Sequence, residues 1–214
     1  EGAWISWPWA YDYLMAKATQ LSLWAAPSLD PMAFMAYVPV AWIFINAALF
    51  LAAARTIGLS AEMLALAMLS FALSPLTQLL HWVGMVDHHY VEHTFVLLCA
   101  WLGLRWFKQP DDRLKAIALG VALGLATAFH NGLFVLQLLP LLTVFILWLR
   151  HSAPPAATLR AFGGMLSVTT LLVLLPSEPF RRGVFEFGLH SWFHLYVAVC
   201  TALSVAYMGW RPAS

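Results

Sequence analysis

Charge is what this sequence has least of. Only 10% of its 214 residues are Asp, Glu, Lys or Arg, while 62% are hydrophobic, and mean hydropathy is +0.78. A soluble domain carries about a quarter charged residues, so the composition excludes a soluble globule and predicts an integral membrane protein. The net charge of +1 supplies no basic field for a nucleic acid, and none is expected as a partner. Cysteine is nearly absent: Cys99 and Cys200 lie in separate apolar runs, form no CxxC pair and read as small apolar core residues. No P-loop, Rossmann glycine motif, HExxH, Gly-x-Ser-x-Gly or internal repeat occurs, which removes the usual nucleotide-binding, zinc-protease and serine-hydrolase readings. The chain starts at Glu1 rather than Met, with no basic stretch leading an apolar one. It therefore reads as a segment of a longer polypeptide, with no signal peptide in view.

Long apolar runs are abundant. Seven are long enough to cross a bilayer as helices, at about 36–54, 61–80, 91–107, 114–130, 132–149, 159–175 and 191–209. The expected fold is all-α, a polytopic transmembrane helical bundle with an N-terminal interfacial segment. Residues 1–35 form a division of their own ahead of a transmembrane domain at 36–214. They hold Trp4, Trp7, Trp9, Tyr11, Tyr13 and Trp24, with Pro8, Pro27 and Pro31 as breaks, a composition suited to the headgroup zone. A short interfacial helix is predicted over Tyr11–Trp24, ended by Pro27.

The connections alternate in charge. One side holds Arg55, Arg105, Lys108, Arg113, Lys115, Arg150, Arg160 and Arg211, and the other holds only Lys17, Arg181 and Arg182. The positive-inside rule makes the richer side cytoplasmic. An inner or plasma membrane location follows, with the active face periplasmic or extracellular. His81, His88, His89, His93, His130, His190 and His194 all fall on that outer side.

The densest group of these is Asp87-His88-His89-Tyr90-Val91-Glu92-His93. Ionisable groups concentrated where an apolar segment meets the membrane surface usually persist because they bind something. Asp and His both donate to divalent cations. At a helix entrance Asp87 and His89 can reach one ion, with Glu92 behind them orienting an imidazole. Once the helix runs, His88 and Glu92 share a face, as do His89 and His93. Gly84 lies just before and loosens the approach. A polar helix cap with interfacial histidines is the plainer alternative.

The stretch Trp82-Val83-Gly84-Met85-Val86-Asp87-His88-His89-Tyr90-Val91-Glu92 resembles the second acidic motif of oligosaccharyltransferase catalytic subunits. The archaeal and bacterial single-subunit enzymes often carry Gly-x-x-Asp-His-His-x-x-Glu there. The upstream Glu1-Gly2-Ala3-Trp4-Ile5-Ser6-Trp7-Pro8-Trp9-Ala10-Tyr11-Asp12 is similar to the end of their first external loop, and the likeness extends over about residues 1–108. It implies a C-type membrane glycosyltransferase that takes a sugar from a polyprenyl phosphate or pyrophosphate donor on the outer face, with an asparagine amide as acceptor. It further implies that Asp87 and His89 bind Mg2+ or Mn2+ on the donor phosphate, with Glu92 in support. Such a cation would stabilise the charge developing on the leaving group. Asp12 matches a later, less central aspartate of the external loop. The family's first catalytic aspartate would lie upstream of Glu1. The Trp-Trp-Asp-Tyr-Gly acceptor motif does not occur in this sequence, so another glycan acceptor, such as a lipid-linked sugar, stays open.

Four further groups complete the candidates. Arg181-Arg182 on the outer side suits a lipid phosphate, gripped bidentately, or else headgroup anchoring or pairing with Glu178 and Glu186. His88 is a lesser candidate for substrate contact. His130-Asn131-Gly132 reads as a tight turn with positive φ at Gly132. His190 and His194 sit four apart at the top of the last run. The rival classes are a histidine-ligated di-iron or haem redox protein and an ion transporter. The first conflicts with the charge bias. The second requires ionisable groups in mid-span, where Asn46 is the deepest polar residue, of a kind that commonly ties helices together.

Overall fold

The computed structural model describes residues 8–211. Glu1, Trp4 and Trp7 of the aromatic N-terminal stretch lie outside the described residues. Among those described the chain is all helical. It forms α1 (Ala10–Ala25), α2 (Pro31–Ile57), α3 (Ala61–Leu73), α4 (Pro75–Leu80), α5 (His89–Lys108) and α6 (Arg113–Phe129). A 3₁₀ helix at Asn131–Gln137 follows, then α7 (Leu138–Leu149), α8 (Ala156–Leu174), α9 (Glu178–Arg181) and α10 (Trp192–Trp210). Packing divides these into two compact units.

The unit spanning residues 10–101 contains α1 to α4 and most of α5. Helix α1 sits where an interfacial helix is predicted, and it stops just before Pro27. Helix α2 is longer than its predicted 36–54. Asp30 caps it by accepting the Met32 N–H at 2.9 Å, and Pro31 opens it, a position where proline's missing N–H costs nothing. Gly58, with φ of 95°, closes it.

The second unit contains residues 102–211 together with Trp9, whose indole N–H donates to the Val173 carbonyl at 3.0 Å. Its centre is α8, packed against α6 and α10. Small residues set these spacings, because backbones in an apolar medium associate by close approach. A β-carbon added to Gly120 would lie 2.5 Å from the Phe162 carbonyl. One on Gly124 would meet Thr169 at 2.7 Å, and one on Gly163 would meet Ala202 at 2.8 Å. Ser191 caps α10 through the Phe193 N–H, while His194 Nδ1 accepts from the Ser191 N–H in return.

Seven spans are predicted, and the structure corrects the number to four among the described residues. All seven runs are helical, but only α2, the continuous 131–149 segment, α8 and α10 are long and apolar enough to cross a bilayer. The 61–80 run breaks at Ser74-Pro75 into α3 and α4, since proline cannot donate and its predecessor is driven to extended backbone. Helix α5 has the length but carries His89, Glu92, His93, Arg105 and Lys108. Helix α6 stops at 17 residues. The tight turn predicted at His130–Gly132 is also corrected. His130 is extended and the next seven residues form the 3₁₀ helix, so Gly132 is not among the positive-φ glycines.

Candidate metal centre

The segment between α4 and α5 builds the cluster. A chain of tight turns runs from Trp82 to Asp87, with Gly84 at φ of 83°. That backbone region favours glycine. The Gly84 N–H also donates to the Ala36 carbonyl of α2 at 2.9 Å. Helix α5 begins at His89, so Asp87 and His88 stand just outside it. Non-helical backbone there lets residues 87 and 89 face each other.

Four side chains converge. Asp87 Oδ1 lies 2.5 Å from His88 Nδ1, and Asp87 Oδ2 lies 3.5 Å from His89 Nε2. Glu92 Oε2 accepts from His89 Nδ1 at 2.7 Å, and Glu92 Oε1 sits 3.3 Å from His88 Nε2. The two imidazoles are 4.5 Å apart between centroids. Ligand atoms from Asp87, His88 and His89 all fall within 4.8 Å of one another.

These partners set where the His89 proton sits. Glu92 is an acceptor, so Nδ1 of His89 carries the proton, and the neutral ring then aims its Nε2 lone pair toward Asp87 Oδ2. Two acceptors facing each other at 3.5 Å repel unless a proton or a cation lies between them. Two ligands each about 2.1 Å from one cation are about 3 Å apart at a right angle, so the pair fits a small divalent ion with little movement. A carboxylate behind the other ring nitrogen is the usual support for a metal-ligating histidine. The Glu92 hydrogen bond also raises the pKa of His89 above its ordinary value, against an opposing effect of burial. Asp87 and His89 are each close to half exposed, whereas Glu92 is largely covered. The Asp87 and His89 side chains are thus open to solvent and the Glu92 carboxylate is not.

Other candidates lie as follows. Asp12 is in the first turn of α1. Burial raises the pKa of the neighbouring Tyr11 hydroxyl, and the charges of Asp87 and Asp12 add to that effect. His93 stacks on Phe71 of α3 at 5.8 Å. In the other unit, Arg181 and Arg182 both grip Glu178, at 2.5 and 2.7 Å. Arg182, with Arg181 beside it, holds the Glu178 carboxyl below its usual range. His194 donates from Nε2 to the Asn131 carbonyl at 3.2 Å, which leaves its ring committed to the fold. His190 is fully buried with neither ring nitrogen hydrogen-bonded, and burial pushes its pKa down to about 3.

Sequence reasoning missed Tyr90. It lies between His89 and Glu92 in sequence, is fully buried, and packs edge-on against Trp42 and Tyr11. A tyrosine at a membrane rim carries no signal that separates such a peg from an ordinary interfacial anchor.

No protein-family model matches the chain, and no curated protein sequence matches it. Solved structures do. The Archaeoglobus fulgidus oligosaccharyltransferase in complex with Zn and sulfate superposes with a TM-score of 0.79 at 17% identity, over 98% of this chain and 27% of that one. The Archaeoglobus fulgidus AglB bound to an inhibitory peptide and a dolichol-phosphate gives 0.75 at 17% identity, over 98% and 25%. The same enzyme tethered to an acceptor peptide containing the NVT sequon gives 0.75 at 17%, over 98% and 26%. The chain spans about a quarter of the length of these structures, and it has the fold of a segment of this archaeal oligosaccharyltransferase.

Proposed function

We propose that this chain is part of a membrane glycosyltransferase of the oligosaccharyltransferase kind. It would move a sugar or oligosaccharide from a polyprenyl-linked phosphate or pyrophosphate donor to an acceptor, an asparagine side chain in the first instance, at the outer face of the plasma membrane. One observation carries the reading: the Asp87 carboxylate and the His89 lone pair face each other across 3.5 Å, with Glu92 fixing the imidazole from behind. The fold likeness supports it, as do the Zn, the dolichol-phosphate and the acceptor peptide of the similar structures.

In this reading Asp87 and His89 hold a divalent cation, Mn2+ or Mg2+. Mixed oxygen and nitrogen donors suit Mn2+ better than Mg2+, which prefers oxygen. When bound, the cation neutralises charge developing on the leaving phosphate. Glu92 keeps the His89 proton on Nδ1. His88, held against Asp87 and Glu92, limits how far the Asp87 carboxylate can turn and borders the face a substrate would meet. Asp12 adds negative charge near the cluster. Arg181 and Arg182 remain candidates for the donor phosphate, which would have to compete with Glu178 for them.

Asp87→Asn in the intact enzyme keeps the side chain's shape and removes its charge. We expect metal-dependent transfer from a lipid-linked donor to be lost in a membrane assay. Transfer that keeps its metal dependence in this variant would remove the cluster from the mechanism.

A further inference from the structure

Behind the cluster lies a second group of polar residues that the proposed chemistry does not use. Asn46 lies about 22 Å along α2 from Pro31, at 1.5 Å per residue, in the middle of an apolar helix and fully buried. One of its amide N–H groups donates to the Tyr90 carbonyl at 3.0 Å, and the other to His81 Nε2 at 2.9 Å. Its Oδ1 accepts from the Thr94 hydroxyl at 2.7 Å, and Thr94 Oγ1 in turn accepts from the Trp42 indole at 2.8 Å.

The partners fix the amide's orientation. His81 Nδ1 lies 2.7 Å from the Thr77 carbonyl, which can only accept, so Nδ1 carries the hydrogen and Nε2 is left as an acceptor. Turning the Asn46 amide over would set its oxygen against two acceptors, the Tyr90 carbonyl and His81 Nε2. All three hydrogen-bonding positions of the amide that the site can use are filled, a condition under which a buried polar network rigidifies what it touches.

What it touches is the backbone one residue after His89 and two before Glu92. Tyr90 is held at both ends: its carbonyl by Asn46, and its hydroxyl, which donates to Met15 Sδ at 3.2 Å, by α1. Thr94 belongs to the same helix, one turn on. The first turn of α5, which sets the register of His89 against Glu92, is thus bolted to α2 from the buried side.

We propose that Asn46, with Thr94 and His81, is a positioning residue that holds the start of α5 so that His89 and Glu92 stay aligned with Asp87 for cation binding. This rests on the metal reading above. A tie that served only to join helices would stabilise the fold and leave cation affinity alone.

Mn2+ binding to the intact protein in detergent, followed by electron paramagnetic resonance, separates the two roles when read beside thermal unfolding. Asn46→Leu should weaken Mn2+ about tenfold or more, the usual effect of losing an outer support of a metal ligand. Thr94→Val removes one of the three Asn46 bonds, together with the Trp42 bond to the hydroxyl, leaves the Asn46 bond to the Tyr90 carbonyl in place, and should shift affinity the same way by less. In the metal-free protein, amide exchange at 90–93 should speed up in both variants. Affinities within about twofold of the parent in the folded variants, with only the melting temperature lowered, would overturn the proposal. Thr94→Val decides the matter if Asn46→Leu fails to fold. A parent protein that binds no Mn2+ would sink the metal reading and this inference together, whereas a parent that binds it as tightly as Asn46→Leu sinks this inference alone.

Discussion

Replacing Glu92 tests the centre with the least disturbance to shape. Its Oε2 accepts from His89 Nδ1 at 2.7 Å, and its side chain is four-fifths covered, so the bond is a charge-assisted one in a partly desolvated setting. Such a bond contributes about 1.5–3 kcal/mol, against about 0.5–1.5 kcal/mol for a neutral one. In Glu92→Gln the amide oxygen can still accept the Nδ1 hydrogen, so the loss is the difference, about 1.4 kcal/mol, or tenfold in Kd. Glu92→Ala leaves His89 free to turn and to change tautomer. There we expect a loss toward the upper end of the range for outer-shell partners, about a hundredfold. Mn2+ titration of the intact protein reads both numbers, and a thermal melt confirms that each variant is folded. If both variants bind Mn2+ as tightly as the parent, Glu92 orients nothing and His89 is not a ligand through Nε2.

Two further outcomes concern the other unit. Gly124→Ala puts a methyl 2.7 Å from Thr169 and 3.0 Å from the Thr170 backbone, whereas Gly164→Ala meets nothing within 4 Å. The first should lower stability by about 1–3 kcal/mol, and the second should be neutral or slightly stabilising; equal melting temperatures would contradict the close α6–α8 approach. His190, buried and held to about 3, stays neutral in the fold while the unfolded chain takes up a proton below about pH 6.5. Stability should therefore fall as pH drops through 6.5, by about 2 kcal/mol at pH 5. His190→Leu should lack that portion of the loss, and parallel pH curves for the two proteins would contradict it.

The convergence of the cluster was legible because its parts are local: Asp87, His88, His89 and Glu92 lie within six residues, and a helix entrance brings such neighbours together without help from the rest of the fold. The helical class was legible for a related reason, since length and apolarity are properties of single runs. Span number was not. It turned on Pro75 splitting one run, on polar residues heading α5, and on α6 being only 17 residues long, and a hydropathy pattern averages over all three. The arginine pair shows the converse limit. Its two charges are plain in the sequence, but whether they face a ligand or a neighbour depends on Glu178 standing one helical turn before them.

Asn46 marks the boundary between the two kinds of information. Its depth in an apolar run already implies a partner, because an unpaired amide there is costly. That the partner is the Tyr90 carbonyl, beside a candidate metal ligand, depends on contacts between residues 44 positions apart. Local chemistry can thus nominate candidate ligands, whereas the side chain that holds the backbone beside them sits on a helix far away in sequence. A search for such sites gains by asking which buried polar residue has no partner within its own helix, and then which backbone group it reaches.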